Sequence, residues 1–370
     1  MRFPGFSNEW TPVKLRDIAE IKTGPFGSTL HAEDYVADGT PIITTEHFKT
    51  GTLPKEKDGL PQVSDVDYLR LKSYRLNVND IVFSRVGSID INAHIEKEQE
   101  GWLFSGRVLR VRPNPSINSR YLHWCLSSEK NKANIARRAV GQTMPSINTE
   151  ILNETEFNIS DNPIEQDRIA SIMTLIDHRI SIQNKVIEKY ESLIKALVHE
   201  IIGNHAPNRM LSECVHCASS TLKESDLAKS GTVPAYGASG ISGFTDIALS
   251  KGDSILITKD GSGVGSLRYV RGPHSFVGTL NIMVPKDGIY LPYIYYALQN
   301  VCFETYRTGQ AIPHIYFRDY GKEAIYCPAY NDQKRLANGL ELIDAKIGIE
   351  KAVLQNLQSA KASLISEMFI

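Results

Sequence analysis

The run Asp260-Gly261-Ser262-Gly263-Val264-Gly265-Ser266 could do chemistry, because closely spaced glycines let backbone N–H groups approach a phosphate. A dinucleotide fingerprint, however, needs a glycine where Ser266 stands and a helix opening there. Leu267-Arg268-Tyr269-Val270-Arg271 alternates like a strand instead, so a glycine-rich hairpin is expected. Cys214-Val215-His216-Cys217 has the look of half a zinc site, but Cys302 and Cys327 are distant and unpaired, and the four-ligand spacing is missing. Asp17, Glu20 and Lys22 offer the carboxylate–carboxylate–lysine set of metal-dependent nucleases, crowded into one turn. The chain has no phosphate-binding G-x-x-x-x-G-K-[ST] loop, no asparagine-proline-proline-aromatic segment of amino-methylating DNA methyltransferases, and no convincing Ser/His/Asp grouping. It reads as non-catalytic, with no cofactor and no metal.

Binding chemistry is better represented. Arg107, Arg110 and Arg112 lie on one predicted strand, the last two on the same face. Lys130, Lys132, Arg137 and Arg138 lead into the loop Gly141-Gln142-Thr143-Met144. A second set, Lys259, Arg268, Arg271 and Arg307, leads into Gly309-Gln310-Ala311-Ile312-Pro313-His314. Arg85 and Ser88 stand beside Gly87, as Lys259 and Ser262 stand beside Gly261. Arginine and lysine can neutralise phosphates or read guanine edges, and glutamine can read adenine. Any one of these residues could be a solvated surface charge; as clusters beside glycine loops they favour DNA contact.

These clusters recur because the chain repeats itself. Shifting 166–200 by 167 positions lays it on 333–367 with twelve of 35 pairs identical, among them Gln166/Gln333, Asp177/Asp344 and Leu175/Leu342. Unrelated sequences would match at roughly two positions over such a stretch. Upstream the offset drifts to 168 at Gly141/Gly309, 172 at Phe104/Phe276 and 174 at Gly87/Gly261, as small loop insertions in related units would produce. Before residue 80 the halves no longer align.

Residues 163–202 carry apolar side chains at heptad spacing. One column is Met173, Ile180, Ile187, Ile194 and Ile201, and the other is Ile176, Tyr190 and Leu197 with Gln183 as the polar exception. The second copy gives Leu340, Ile347, Leu354 and Met368, then Ile343, Leu357 and Leu364, with Glu350 in place of Gln183 and Lys361 as a further polar break. Two alternating columns make a seam for a partner helix. Each is the simplest partner of the other, and an antiparallel pair is easiest to build when a globular unit separates them. The expected architecture is α+β: a head over 1–160, a long helix over 161–203, a second head over 204–328 and a second long helix over 329–370. Both heads are expected to be mixed α and β, with Tyr293, Tyr295 and Tyr296 packing in a core.

The length suits two domains, each able to bury a core. The formal net charge of −1 gives no support to a wholly basic, sequence-independent nucleic-acid binder, so DNA contact must come from local clusters. The N-terminal residues resemble no signal peptide, no segment is long enough to span a bilayer, and five scattered cysteines point to reduced thiols in a cytoplasm.

Gly141-Gln142-Thr143-Met144-Pro145-Ser146-Ile147-Asn148, followed by Pro163-Ile164-Glu165-Gln166-Asp167-Arg168-Ile169-Ala170 entering a long helix, resembles the conserved region of specificity subunits of Type I restriction-modification enzymes. Gly309–Ile315 with Gln333-Lys334-Arg335-Leu336-Ala337 is similar to the same region at the C-terminus. Trp10 through Ile18 with Gly24-Pro25-Phe26-Gly27-Ser28 resembles the start of a first target-recognition domain, and Pro234–Gly240 with Asp260–Gly265 that of a second. Ser160-Asp161-Asn162 and Ala329-Tyr330-Asn331 depart from the proline-rich helix entry that the family often shows. The resemblance implies a non-catalytic DNA-reading subunit. Each head would read half of a bipartite double-stranded target, and the coiled coil would bind two modification methyltransferase subunits, with motor-nuclease restriction subunits joining that assembly. Two rival readings are a coiled-coil protein scaffold that binds no DNA and a stand-alone nuclease or methyltransferase.

Overall fold

The structure, a computed structural model, describes residues 5–6, 9–25, 29–141, 143–310 and 312–369. It divides into two compact units, Met1–Ile182 with Leu354–Ile370, and Gln183–Val353. Each unit takes part of both long helices, so the units cut across the four expected segments.

The first unit is built on an antiparallel sheet with spatial order Ala19–Thr23, Val108–Pro113, Ile81–Ser84, Asn92–His94. The second has the same sheet from Val215–Ser219, Leu280–Pro285, Ser254–Thr258 and Leu267–Val270. Their inner strands Ile81–Ser84 and Ser254–Thr258 are buried on both faces, which explains their unbroken runs of low polarity. The apolar run beginning at Leu76 becomes strand only at Ile81, because Asn79 turns the chain at φ +73° and the Asp80 carboxylate accepts the Asn77 N–H at 2.8 Å. A smaller sheet in each unit contains a parallel pair: Ile42–Ile43 with Leu103–Phe104, and Ala235–Tyr236 with Ser275–Phe276.

The repeat reaches further toward the N-terminus than the sequence alignment. One-turn helices Leu15–Ile18 and Leu211–Cys214 lead into the first strand of each sheet. In both, an acid at the third position accepts the preceding backbone N–H: Asp17 from Lys14 at 3.3 Å and Glu213 from Met210 at 2.7 Å. Leu15 and Leu211 are each fully buried. One leucine and one acid carry too little identity to register in an alignment.

Short helices Ser119–Leu126 and Leu291–Ala297 pack into these cores. Tyr293 and Tyr296 are buried, and their hydroxyls donate to the Tyr326 carbonyl and the Asp344 carboxylate, each at 2.7 Å, while Tyr295 packs half-buried against the same core. All five cysteines are free thiols.

The long helices are Pro163–Val198 and Tyr330–Met368, 36 and 39 residues. The Asn162 side chain accepts the Ile164 N–H at 3.0 Å to start the first. Met173 shares a core with Leu364 and Met368 in the first unit, and Ile194 with Leu340 and Ile347 in the second. Numbers therefore rise along one helix as they fall along the other, and the pair is antiparallel. Every expected seam residue (Ile176, Ile180, Gln183, Ile187, Tyr190, Ile194 and Leu197 on one helix, Ile343, Ile347, Glu350, Leu354, Leu357 and Leu364 on the other) is buried or half-buried. The two polar exceptions answer each other: the Gln183 amide donates to the Glu350 carbonyl at 3.0 Å and to its carboxylate.

Each long helix is also tied to its own head by a buried glutamine. Gln166 accepts the Asn118 N–H at 2.8 Å and donates to the Ser160 carbonyl at 2.7 Å. Gln333 accepts the Tyr290 N–H at 2.8 Å and donates to the Pro328 carbonyl at 2.8 Å. That shared duty explains why this pair is identical in the two copies.

Candidate DNA interface

In each unit the fold joins two loops that are far apart in sequence. Val140 and Ser146 exchange both backbone hydrogen bonds at 2.9 Å and close a five-residue loop; Thr308 and His314 do the same at 2.9 and 2.8 Å. The glycine turn after the inner strand then bonds to that loop. Gly87 N–H donates to the Pro145 carbonyl at 3.0 Å, and Gly261 N–H donates to the Pro313 carbonyl at 2.9 Å. Ile147 and Ile315 donate back to Arg85 and Lys259 carbonyls, both at 2.9 Å. Gly87 and Gly261 have φ +80° and +96°, a left-handed turn for which glycine is suited. Gly141 and Gly309 also have positive φ, and a Cβ on Gly309 would sit 2.4 Å from the Ile312 carbonyl oxygen.

The Asp260–Ser266 segment is a hairpin between Ser254–Thr258 and Leu267–Val270, closed by Thr258 N–H to Ser266 carbonyl at 3.0 Å and Gly265 N–H to Thr258 carbonyl at 2.9 Å. It lacks the strand–turn–helix geometry of a dinucleotide cradle. Cys214 faces the core, exposed His216 and half-buried Cys217 follow on opposite faces of one strand, and Cys217 approaches the Tyr320 hydroxyl at 3.7 Å. Asp17 is occupied at the turn, Glu20 pairs with Arg110, and Lys22 donates to the Ser73 carbonyl at 3.0 Å.

The basic residues divide into those on the surface and those spent inside the head. Ser88, Arg107, Arg137, Arg138, Arg307 and Gln310 are exposed. Arg138 donates to the Glu154 carbonyl at 2.8 Å and Arg307 pairs with Glu304 at 3.2 Å, contacts that bound DNA could displace. Among the described residues Arg107 makes no ion pair, though its charge is felt by the Glu46 carboxylate. Lys132, half-buried, pairs with Glu129 at 3.2 Å. Gln142 lies outside the described residues.

Two expectations need correction. Arg110 is only 3% exposed and its guanidinium is held by Glu20, so it cannot present its charge to a phosphate. Burial, followed by the neighbouring Arg112 charge, pulls its pKa below the ordinary arginine value. Arg112 makes a two-pronged bond at 2.7 Å with the Asp80 carboxylate, which is itself 1% exposed. Exposed Arg271 pairs with Glu341 of the second long helix at 2.9 Å, a surface contact of the same displaceable kind as that of Arg307. Others act by positioning. Arg85 donates to the Ile147 and Gly106 carbonyls at 3.2 and 3.3 Å and holds three loops together. His314 Nδ1 and the Asp260 carboxylate, 2.7 Å apart, join the paired loops of the second unit, and Lys259 lies 3.3 Å from the same carboxylate. Arg268 is half-buried above Tyr236, 5.7 Å from its ring centre.

Sequence reasoning missed the acids that neutralise Arg110 and Arg112. Their signal was present: strand neighbours two residues apart on one face, Arg110 and Arg112, demand counter-charges, and Glu20 lies directly opposite Arg112 across the strand pair.

The family model of the Type I restriction modification DNA specificity domain matches this chain twice, over residues 7–192 and 212–359. A Mycoplasma genitalium protein named as a type I specificity subunit is 23% identical over 276 residues, covering 68% of this chain and 71% of that protein. The protein named as the MjaX type I restriction enzyme specificity subunit of Methanocaldococcus jannaschii is 29% identical over 201 residues, 52% of this chain and 45% of its own length. The crystal structure of an S subunit of a Type I restriction-modification system from M. genitalium superposes with a TM-score of 0.68 at 19% identity, over 100% of this chain and 99% of that one. A chain from a structure of type I restriction-modification complex assembly superposes with a TM-score of 0.55 at 14% identity, over 98% of both. With both copies of the repeat matched, the chain belongs to the Type I restriction-modification DNA specificity family and carries two of its specificity domains.

Proposed function

We propose that each unit reads one half of a bipartite duplex DNA target through its joined loop pair, and that the chain itself is non-catalytic. The observation that carries this reading is the repetition of the loop joint: the same glycine turn, the same bond to a proline carbonyl and the same five-residue loop occur in both units, while the parts of the heads before residue 80 and their counterparts do not align. A shared frame carried on heads of unlike sequence suits two unlike half-sites. Arg107, Arg137, Arg138 and Arg307 supply phosphate contacts, and Gln142 and Gln310 base edges.

The long helices dock two methyltransferase subunits in this reading, with a motor-nuclease restriction subunit joining the assembly. Off the seam, Leu175 and Ile182 are 64% and 49% exposed, and their repeat partners Leu342 and Ile349 are 74% and 58% exposed. Identical apolar residues left in water at equivalent places in each copy suit two equivalent partner surfaces. No helix among the described residues is long and apolar enough to cross a membrane.

The test is reconstitution. The chain mixed with a Type I modification methyltransferase from the same host should methylate a split target and shift its duplex with strong salt dependence, whereas the chain alone should turn over no S-adenosylmethionine and cut no DNA. A complex that forms but binds duplexes without sequence preference would favour the scaffold reading.

A further inference from the structure

The paired loops hold a second feature in common. Met144 and Ile312 stand at equivalent positions of the two five-residue loops, and they are 66% and 58% exposed. Their neighbours are tied down: the proline after each has its carbonyl bonded to Gly87 or Gly261, and the loop base is closed by a doubly bonded residue pair. Proline also restricts the residue before it to extended backbone. Each apolar side chain therefore projects from a fixed frame into water. One exposed apolar residue is ordinary; two, at matched positions of loops that share Gly, Gln and Pro, preceded in sequence by exposed Arg137 and Arg138 in one unit and Arg307 in the other, call for a binding role.

We infer that Met144 and Ile312 are specificity residues, each packing on a thymine C5-methyl in the major groove of its own half-site. This rests on the DNA-reading function proposed above. The partner is identified by chemistry. The flanking cations select a polyanion, and the thymine methyl is the one apolar group that a duplex presents in the major groove. Gln310 is exposed two residues before Ile312, so a loop that sets its amide against an adenine edge brings the apolar side chain to the same groove.

The experiment uses the complex of the full chain with its methyltransferase, on the target found by methylome sequencing. Each thymine in each half-site is replaced singly by deoxyuridine, which removes only the methyl. For the intact complex, one replacement per half-site should weaken binding roughly four-fold, as expected for one buried methyl. Met144→Ala should lose a similar factor and become indifferent to deoxyuridine in one half-site only; Ile312→Ala should do so in the other. Met144→Leu, which keeps an apolar tip, should retain the sensitivity, and circular dichroism checks that each variant is folded. The inference is overturned if single deoxyuridines leave the intact complex unaffected, if each variant stays as sensitive as the parent, or if a half-site holds no A·T pair. If the complex shows no sequence preference at all, the DNA-reading function fails first. If it discriminates sequences while methyl and side chain remain uncoupled, only the present inference fails.

Discussion

Acid should loosen the first unit through its buried histidines. His94 and His123 are 9% and 6% exposed, with ring centres 6.4 Å apart. His94 Nε2 meets Ser119 Oγ at 2.8 Å, while its Nδ1 is buried without a partner among the described residues. His123 Nδ1 donates to Asn92 Oδ1 at 2.6 Å, an orientation set by the Asn92 amide donating to Ser127 Oγ at 3.1 Å. Burial, aided by the nearby Arg120 charge, pushes the His94 pKa from 6.5 down to about 3. Burial also holds His123 well below its ordinary value, with His94, Lys361 and Arg120 adding to the effect. Both are neutral when folded and take up a proton when unfolded, so their contribution is complete above pH 6.5 and shrinks as pH falls toward the folded pKa. At about 1.4 kcal/mol per pH unit, His94 alone removes about 2 kcal/mol between pH 6.5 and pH 5, with His123 acting in the same direction. That is a large share of a typical domain's 5–15 kcal/mol. The assay is urea unfolding followed by tryptophan fluorescence, which reports this unit alone because Trp10, Trp102 and Trp124 all belong to it. His94→Gln keeps a partner for Ser119 without titrating. It should lose about 2 kcal/mol less than the parent between pH 6.5 and pH 5. Equal losses in parent and variant would refute the reasoning.

Two further outcomes separate surface charge from buried charge and test the seam. Arg107→Ala should weaken DNA binding by the reconstituted complex and lower its salt slope by about one, whereas Arg110→Met should leave the slope unchanged and act on thermal stability. Replacing Gln183 and Glu350 together by leucine should raise the melting temperature, because an apolar seam outweighs a polar pair, and cross-linking of single cysteines placed along the helices should then reveal more than one helix register; a lower melting temperature with a single register would contradict the assigned role.

The long helices were legible because thirteen seam positions repeat one simple rule, and burial on a helix depends on spacing alone. The heads were legible only in part. Strands of four to six residues, buried on both faces, carry no alternation, so the shared sheet order emerges only in three dimensions. The loops Gly141–Ile147 and Gly309–Ile315 could be found in sequence, but their bonds to Gly87 and Gly261 could not, being contacts across more than fifty residues. Arg110 and Arg112 were misjudged for a related reason. Glu20 lies 90 positions from Arg110, and Asp80 lies 32 from Arg112. A basic strand looks like a DNA surface until the acids facing it are placed.

The glutamines at the entries to the long helices make each junction a welded corner instead of a swivel. Turning a head about the first turn of its helix would pull Gln166 off Asn118 and Ser160, or Gln333 off Tyr290 and Pro328, stranding buried polar groups at about 1–3 kcal/mol each. Each head and the start of its own helix therefore form one stiff corner, held by two hydrogen bonds of a single buried side chain.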